Sequence, residues 1–277
     1  MRIGIIGLGS MGQMLVKSFC KSAVISPEHI VVFNRTRAKA DALQARFGVA
    51  VADSAQAICE QASLIFICTK PLDILPVLEK LTIPREKHIV SVAAGVSISD
   101  LENVHAGPVS KVIPTVTSSE LHGVSLYTAS DRVSSEERSR LFTLLSAIGE
   151  VQEVTETNIE TATILSSSAP GLIAGMLDSF AQAAVRKTPE LDIATARTIL
   201  VETMLGTALL LKNEQLGFDQ LIERVATKGG ITEEGLRVLA KTLPGGFDEL
   251  FAMTESKHAA LKELVQKQVG KQMDEKE

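Results

Sequence analysis

The sequence predicts an α/β protein with a doubly wound first domain, residues 1–153, and an all-helical second domain, residues 154–277. Three observations lead to this fold class. Strand-like and helix-like segments alternate through the first half, as they do in a mainly parallel sheet covered by helices on both faces. A glycine-rich turn follows the first apolar run. After Glu153 the strand pattern ends, and most of the remaining sequence has helical periodicity.

Short apolar runs mark the strands of the first domain, and the run at residues 64–68 is continuous, which is typical of a strand buried on both faces. The segments between the runs have helical periodicity, and Ser54 is a suitable N-cap for one of them. The predicted strands are residues 2–6, 30–33, 50–51, 64–68, 89–92, 109–113 and 123–128. The predicted helices are residues 13–21, 38–47, 54–60, 73–81, 135–147 and one that starts at 99–102.

The second domain is predicted to contain five helices joined by short segments with Gly or Pro, at residues 159–186, 193–212, 215–225, 232–241 and 247–268. The first would be roughly 40 Å long at 1.5 Å per residue, which is longer than a small domain is wide. Its surface is small and apolar, so it needs a partner that its own domain cannot supply. We therefore expect a homodimer with interleaved helices and a kink at Pro170, and we leave assembly beyond the dimer open.

Composition and charge limit the classes of function. A net charge of −5 gives no sign of a nucleic-acid partner or a membrane-surface patch. Cys20, Cys59 and Cys68 lack metal-ligand spacing, so we expect core thiols, no metal site and a reducing, cytoplasmic compartment. The N-terminal apolar run is broken by glycines and does not resemble a signal peptide. We also expect no membrane partner, because we judge no stretch long and apolar enough to cross a bilayer, the richest being residues 171–185.

A G-x-G-x-x-G motif follows the first predicted strand and opens the first helix. The pattern alone is common, but in this position it indicates a dinucleotide-binding Rossmann domain. Gly7 permits the tight turn, Gly9 lets the backbone approach a diphosphate, and Gly12 lets the helix pack close to the strand. The diphosphate would lie on the free N–H groups at the helix start. The predicted residues are Gly7, Leu8, Gly9, Ser10, Met11 and Gly12.

The end of the second strand favours NADP(H) over NAD(H). An NAD site normally carries Asp or Glu here to bind the ribose 2′-hydroxyl, and that carboxylate would repel a 2′-phosphate. This chain instead has Asn34, Arg35 and Thr36, an amide, a guanidinium and a hydroxyl that suit a phosphate. Arg37 also follows, and a solvated position at a helix start is a readier interpretation for it than for Arg35.

Two further strand ends are predicted to contribute to the cofactor site, because ligands of such sheets bind beyond the carboxyl ends of the strands. Thr69, Lys70 and Pro71 follow the fourth strand and are expected on the adenosine side, with an ordinary surface charge as the alternative for Lys70. Ala93 and Ala94 follow the next strand, where small residues leave room for the nicotinamide ring.

Together these segments resemble the pyrroline-5-carboxylate reductase family. The resemblance runs in order through nearly the whole chain, and its specific parts are AAGVSI from Ala93 and VATKGGITEEGLRVL from Val225. It implies a doubly wound Rossmann domain followed by an all-helical dimerisation domain. The implied reaction is hydride transfer from NADPH to the C=N carbon of 1-pyrroline-5-carboxylate, or of a close analogue, to give L-proline or its counterpart.

The resemblance also implies a substrate site. The matching loop residues are Thr227, Gly229, Gly230, Ile231 and Thr232. Thr232 falls on the family's threonine near the imine nitrogen, which makes it the candidate catalytic residue. The backbone N–H groups of Gly229 to Ile231 would hold the substrate carboxylate. The structural alternative for Thr232 is an N-cap of the helix that begins at Glu233.

Departures from the family pattern cluster on the substrate side. Thr115-Val116-Thr117 stands where the family usually has Asn-Thr-Pro, Ser166-Ser167-Ser168-Ala169 stands where it has Ser-Gly-Ser-Gly, and Thr227-Lys228 precedes the glycine pair. In this the chain resembles the late-competence (ComER) branch of the family. An NADP(H)-binding member with a regulatory or competence-related role is therefore an alternative to an active imine reductase. A third hypothesis is a β-hydroxyacid dehydrogenase. Such enzymes resemble one another in a catalytic lysine about one helical turn beyond a glycine-rich helix start, whereas the first lysine after Pro170 in this chain is Lys187, too far along the helix.

Overall fold

The computed structural model describes residues 1–274, and the side chains of all of these except 261, 266 and 268–274. Eight strands form one sheet: β1 (Ile3–Ile6), β2 (Ile30–Phe33), β3 (Ala50–Val51), β4 (Leu64–Ile67), β5 (His88–Ser91), β6 (Val109–Ile113), β7 (Gly123–Ala129) and β8 (Gly149–Glu153). Their order across the sheet is β3-β2-β1-β4-β5-β6-β7-β8.

The sheet is built outward from β1 in both directions, which is the doubly wound arrangement. All neighbouring strands are parallel except β6 and β7, which are antiparallel. The central strands β1 and β4 are wholly buried, as their continuous apolar sequences predict. Alternate strand residues enter two large apolar clusters, so each face of the sheet has its own core. The predicted fold class is confirmed.

Six helices cover this sheet: α1 (Ser10–Ser22), α2 (Arg37–Phe47), α3 (Ala55–Gln61), α4 (Pro71–Glu79), α5 (Ile98–Val104) and α6 (Ser135–Ser146). Two 3₁₀ helices, Pro27–His29 and Val116–Glu120, lie in the connections. The N-cap predicted for α3 is confirmed, because the Ser54 hydroxyl accepts a hydrogen bond from the Ala57 N–H at 3.1 Å.

The strand β8 is absent from the predicted set, in which the last strand ends at residue 128. It pairs in parallel with β7, from Gly123 opposite Gly149 to Tyr127 opposite Glu153. Its sequence GEVQE is mostly polar, and three of its five residues are exposed. An edge strand of this kind has no apolar run, so hydrophobic patterning does not reveal it.

The rest of the described chain is helical, as predicted. It contains α7 (Ile159–Thr163), a π-helical turn (Ile164–Ser168), α8 (Ala169–Lys187), α9 (Ile193–Asn213), α10 (Phe218–Val225) and α11 (Ile231–Asp274). The helix predicted at 159–186 is thus interrupted directly before Pro170. A proline has no N–H to donate to the residue four positions earlier, and a π turn is one way in which a helix accommodates this loss.

Two other helix boundaries differ from the prediction. The predicted connection at Pro244-Gly245-Gly246 lies inside α11, which continues for 44 residues. A single proline removes one backbone donor and leaves the rest of the hydrogen-bond ladder in place, so it need not end a helix. The helix predicted from residue 215 begins later, because Gln215 has a φ of +53° and Gly217 is the N-cap of α10.

By internal packing the described residues form two compact units, residues 1–168 with 254–274, and residues 169–253. The first unit extends beyond the predicted boundary at Glu153, because Ile159 packs with Ile113 and Leu126 in a small apolar cluster. Val265, near the end of α11, is also buried in a core cluster of this unit. The division into functional domains at residues 153 and 154 stays a prediction.

The second unit leaves much apolar surface exposed within the single chain. On α9 five large side chains are between 40% and 54% exposed, namely Ile199, Val201, Met204, Leu205 and Leu209. By length and composition this helix would also suffice to cross a membrane, with a mean hydropathy of 1.4. The expectation that no stretch meets that criterion is therefore wrong, because the aliphatic residues of α9 make it more apolar over 18 residues than the segment at residues 171–185.

A buried histidine makes the stability of the sheet unit depend on pH. His88, at the start of β5, is 3% exposed, and its Nε2 lies 2.8 Å from the Ser110 hydroxyl on β6. Burial lowers the pKa of His88 to about 4, from an ordinary value of 6.5. The folded chain thus holds a neutral ring at a pH where the unfolded chain binds a proton, so stability falls as the pH drops from about 6.5 to about 4.

We predict that His88→Gln removes most of this acid sensitivity. Between pH 7 and pH 5 the wild-type free energy of unfolding should fall by about 2 kcal/mol more than that of the variant, from urea unfolding followed by circular dichroism at one protein concentration. His29→Gln, at an exposed histidine, is the matched control and should retain the wild-type loss. Equal pH dependence in wild type and His88→Gln would contradict the assignment.

Candidate functional site

The turn between β1 and α1 is shaped by two glycines that have no room for a side chain. Gly7 has a φ of +97°, and a Cβ on it would lie 2.9 Å from the Cys68 carbonyl group. A Cβ on Gly12 would lie 2.0 Å from the Gly7 carbonyl oxygen. These contacts bring α1 and the end of β4 close to the turn. The roles predicted for both glycines agree with this packing.

Gly9 differs from these two glycines because a Cβ on it would meet no atom within 4 Å. It is the N-cap of α1, without a side-chain cap, and no acidic residue lies in the first turn. Among the described residues, no acceptor meets the N–H groups of Ser10, Met11 and Gly12. The turn thus exposes unpaired donors at the positive end of a 13-residue helix, beside open space, which suits a diphosphate.

Asn34 joins the glycine turn to the end of β2. Its Oδ1 accepts a hydrogen bond from the Leu8 N–H at 2.9 Å, and its Nδ2 donates to the Thr36 carbonyl oxygen at 3.0 Å. Gln13 adds a hydrogen bond from its Nε2 to the Leu8 carbonyl oxygen at 3.0 Å. Asn34 therefore orders the backbone of two predicted binding segments, which is a different task from the direct phosphate contact expected of it.

The two arginines after β2 have different surroundings. Arg37 pairs with Asp41 at 3.1 Å and Asp53 at 2.7 Å, which agrees with the interpretation of Arg37 as a helix-start residue. Arg35 is exposed and forms no ion pair with any side chain that the structure describes. Thr36 precedes α2 as its N-cap, and its side chain makes no capping hydrogen bond. A free guanidinium and a free hydroxyl are thus left at the strand end.

The other predicted cofactor residues also follow strands at the carboxyl edge of the sheet. Thr69 comes directly after the Cys68 that packs on Gly7, and its hydroxyl is buried without a hydrogen-bond partner. Lys70 is the exposed N-cap of α4, and Pro71 is its first residue. Such an unpaired hydroxyl beside the glycine turn fits a place where a bound group supplies the missing partner.

Ala93 and Ala94 follow β5 and lead into a turn at Gly95, which has a φ of +83°. Ala93 is buried, and Ala94 is half-buried. The capping box of α5 fixes the next segment, because Ser97 and Asp100 exchange hydrogen bonds of 2.9 and 3.0 Å. The predicted cofactor residues thus all follow strands β1, β2, β4 and β5 of one unit.

The predicted substrate loop lies in the helical unit, between α10 and α11. Gly229 has a φ of +75°, and the Gly230 N–H donates to the Thr227 carbonyl oxygen at 2.9 Å. The helix α11 starts at Ile231, so Thr232 lies in its first turn. Thr232 is therefore not the N-cap of a helix that begins at Glu233, which was the structural alternative. The Thr232 side chain is exposed, and its hydroxyl has no hydrogen-bond partner among the described residues.

Sequence reasoning missed Glu233 in this loop. Its Oε2 accepts a hydrogen bond from the Gly229 N–H at 2.6 Å. The available signal was a glutamate three residues after the glycine that precedes the helix, the spacing at which a capping-box side chain reaches back to backbone N–H groups. One of the N–H groups predicted to hold a substrate carboxylate therefore holds a carboxylate of the chain itself.

Thr232 also borders an apolar cavity of about 430 Å³ within the helical unit. The cavity lies among α9, α10 and the start of α11, and most of its walls are aliphatic. Its lining residues are Thr203, Gly206, Thr207, Leu210, Leu221, Ile222, Val225, Thr232 and Leu236.

Comparisons with known proteins relate both units to one family. Residues 156–267 match the family model for pyrroline-5-carboxylate reductase dimerisation, and residues 2–95 match that for NADP oxidoreductase, coenzyme F420-dependent. The chain is 37% identical over 274 residues to pyrroline-5-carboxylate reductase 3 of Bacillus subtilis, covering 98% of this chain and 99% of that protein. This chain belongs to the pyrroline-5-carboxylate reductase family.

Two further comparisons place the chain within the pyrroline-5-carboxylate reductase family. It is 31% identical to ComE operon protein 4 of the same bacterium, covering 97% of this chain and 99% of that one, so the predicted likeness to the late-competence branch is confirmed. The structure of a pyrroline-5-carboxylate reductase from Coxiella burnetii matches with a TM-score of 0.82 at 25% identity, covering 96% of this chain and 98% of that one. Membership of the pyrroline-5-carboxylate reductase family replaces the hypothesis of a β-hydroxyacid dehydrogenase.

Different glycine substitutions should separate binding from folding at the first turn. Gly9→Ala adds a methyl group in open space, so we expect an unchanged Tm and an NADPH affinity at least tenfold weaker, measured by calorimetry. Gly12→Ala places the same methyl group 2.0 Å from a backbone oxygen, so we expect a lower Tm.

Gly48→Ala is a control for backbone strain alone, because Gly48 has a φ of +76° and open space around its Cβ position. It should lower the Tm moderately and leave the NADPH affinity intact. Wild-type NADPH affinity in a stable Gly9→Ala variant would contradict the role assigned to the α1 turn.

Proposed function

We propose that this chain reduces 1-pyrroline-5-carboxylate to L-proline with NADPH as the hydride donor. The observation that carries the proposal is the 37% identity to a pyrroline-5-carboxylate reductase across 98% of the chain. Two features of the chain give further support to the proposal. They are a dinucleotide cradle after β1 and a Gly-Gly-x-Thr loop at the start of α11.

The cofactor part of the proposal depends on the carboxyl edge of the sheet. The free N–H groups of Ser10 and Met11 would bind the diphosphate, and Arg35 with Thr36 would bind the 2′-phosphate. No carboxylate stands at the end of β2, where one would favour NAD(H). The match of residues 2–95 to an NADP oxidoreductase model supports the same choice.

The substrate part of the proposal assigns two tasks to residues 227–232. The N–H groups of Ile231 and neighbouring residues would bind the carboxylate of the imino acid, and the Thr232 hydroxyl would form a hydrogen bond with the ring nitrogen. NADPH, when bound, would supply a hydride for the C=N carbon, and the ring nitrogen would take its proton from solvent, as the iminium, so that the product carries an N–H bond. The protein then contributes position and orientation of the C=N bond, and these tasks need neither a covalent nucleophile nor a metal ligand.

We further propose that the chain acts as a homodimer in the cytoplasm. The match to a dimerisation family model and the exposed aliphatic side chains of α9 support a second copy as the partner of that surface. The three free cysteines, two of them buried, suit a reducing compartment. Burial raises the pKa of Cys59 to about 11, which keeps that thiol protonated and unreactive.

Turnover of 1-pyrroline-5-carboxylate, followed by NADPH oxidation at 340 nm, tests the proposal. We expect the wild-type protein to turn over 1-pyrroline-5-carboxylate. In Thr232→Val, which keeps the shape of the side chain and removes its hydroxyl, we expect kcat to be about tenfold to hundredfold lower. Thr207→Val is the matched control, because Thr207 lines the same cavity but donates its hydroxyl to the Thr203 carbonyl oxygen at 2.7 Å.

NADPH binding without turnover in the wild type would overturn the enzymatic proposal. That result would favour the non-catalytic alternative, in line with the altered substrate segments and the likeness to ComE operon protein 4. Equal kcat in wild type and Thr232→Val would instead remove Thr232 from the catalytic site.

A further inference from the structure

The first turn of α11 holds a carboxylate in a place where the proposed reaction needs to bind another. The Gly229 N–H donates to Oε2 of Glu233 at 2.6 Å, a short, charge-assisted hydrogen bond. Gly229 has a φ of +75°, a backbone conformation that glycine adopts without the strain a side chain would cause. The loop is thus already ordered around one negative charge.

The Glu233 carboxylate has a second partner farther along the helix. Its Oε1 lies 3.6 Å from the Arg237 guanidinium, which also binds Glu234 at 2.8 Å. The side chain of Glu233 is 35% exposed, so it is neither enclosed nor fixed by packing on all sides. A rotation away from Gly229 would leave the carboxylate beside Arg237, where a cation remains available to it.

A substrate carboxylate at this loop would meet Glu233 at close range. The N–H groups of Ile231 and Thr232 have no acceptor among the described residues, and they are two and three residues from Gly229 in the chain. Two carboxylates about 4 Å apart in a solvated site repel each other by about 1 kcal/mol, which corresponds to about a fivefold change in affinity. The charge of Glu233 therefore opposes the binding of an anionic substrate but leaves a neutral one unaffected.

We propose that Glu233 is a specificity-determining residue that occupies the Gly229 N–H in the free protein and must release it when a substrate carboxylate binds. This inference rests on the proposed function, because it assigns the substrate carboxylate to the same loop. Glu233 acts on the binding of the carboxylate and takes no part in hydride transfer, so it affects KM and leaves kcat unchanged.

Steady-state kinetics of Glu233→Gln test the inference. The glutamine keeps an acceptor oxygen for the Gly229 N–H and removes the charge. We expect KM for 1-pyrroline-5-carboxylate to fall about fivefold with kcat unchanged, and KM for 1-pyrroline, which lacks the carboxylate, to stay the same. Glu234→Gln is the matched control, since Glu234 shares Arg237 but has no contact with Gly229, and it should keep the wild-type KM.

An amide NMR titration with L-proline tests the role of Glu233 independently of turnover. L-Proline should shift the Gly229 N–H resonance at about fivefold lower concentration in Glu233→Gln than in wild type. Equal titration midpoints, or a Gly229 resonance that proline moves in neither protein, would overturn the inference. An unchanged or raised KM for 1-pyrroline-5-carboxylate in an active Glu233→Gln variant would overturn it as well. Loss of turnover in the wild type alone would count against the proposed function and not against Glu233.

Discussion

The close approach of the β1–α1 turn to the end of β4 is the constraint on which the nucleotide site depends. Gly7 and Gly12 leave no space for a Cβ, so the start of α1 lies directly over the carboxyl edge of the central strands. Asn34 then fixes the Leu8 N–H and the Thr36 carbonyl oxygen, which ties the turn to the segment after β2. Unpaired helix N–H groups, Arg35 and the buried Thr69 hydroxyl are thereby presented along one edge.

Much of this arrangement is predictable from sequence because its signals are local. A buried parallel strand is a continuous apolar run, and the glycine motif has a fixed place between strand and helix, so β1, β2, β4 and the first turn follow from the pattern. Local hydrophobicity does not predict the polar edge strand β8, because its place in the sheet depends on pairing with β7. It also does not predict that α11 continues through Pro244.

The site is predictable to a lesser degree, because residue type does not specify which group a side chain contacts. Asn34 and Arg35 are adjacent polar residues, yet Asn34 is bound to the backbone and Arg35 forms no ion pair with a described side chain. Arg37 is held by two aspartates, one of them 16 residues away. In the substrate loop the sequence identifies the glycine pair and Thr232, whereas the occupation of the Gly229 N–H by Glu233 depends on a side-chain conformation.

A crystal structure of the protein with NADPH tests the central claim most directly, namely that the α1 turn binds the dinucleotide. The account predicts diphosphate oxygens within hydrogen-bond distance of the N–H groups of Ser10 and Met11, and the 2′-phosphate against Arg35. A dinucleotide bound elsewhere on the chain, or a 2′-phosphate turned toward solvent away from Arg35, would contradict it.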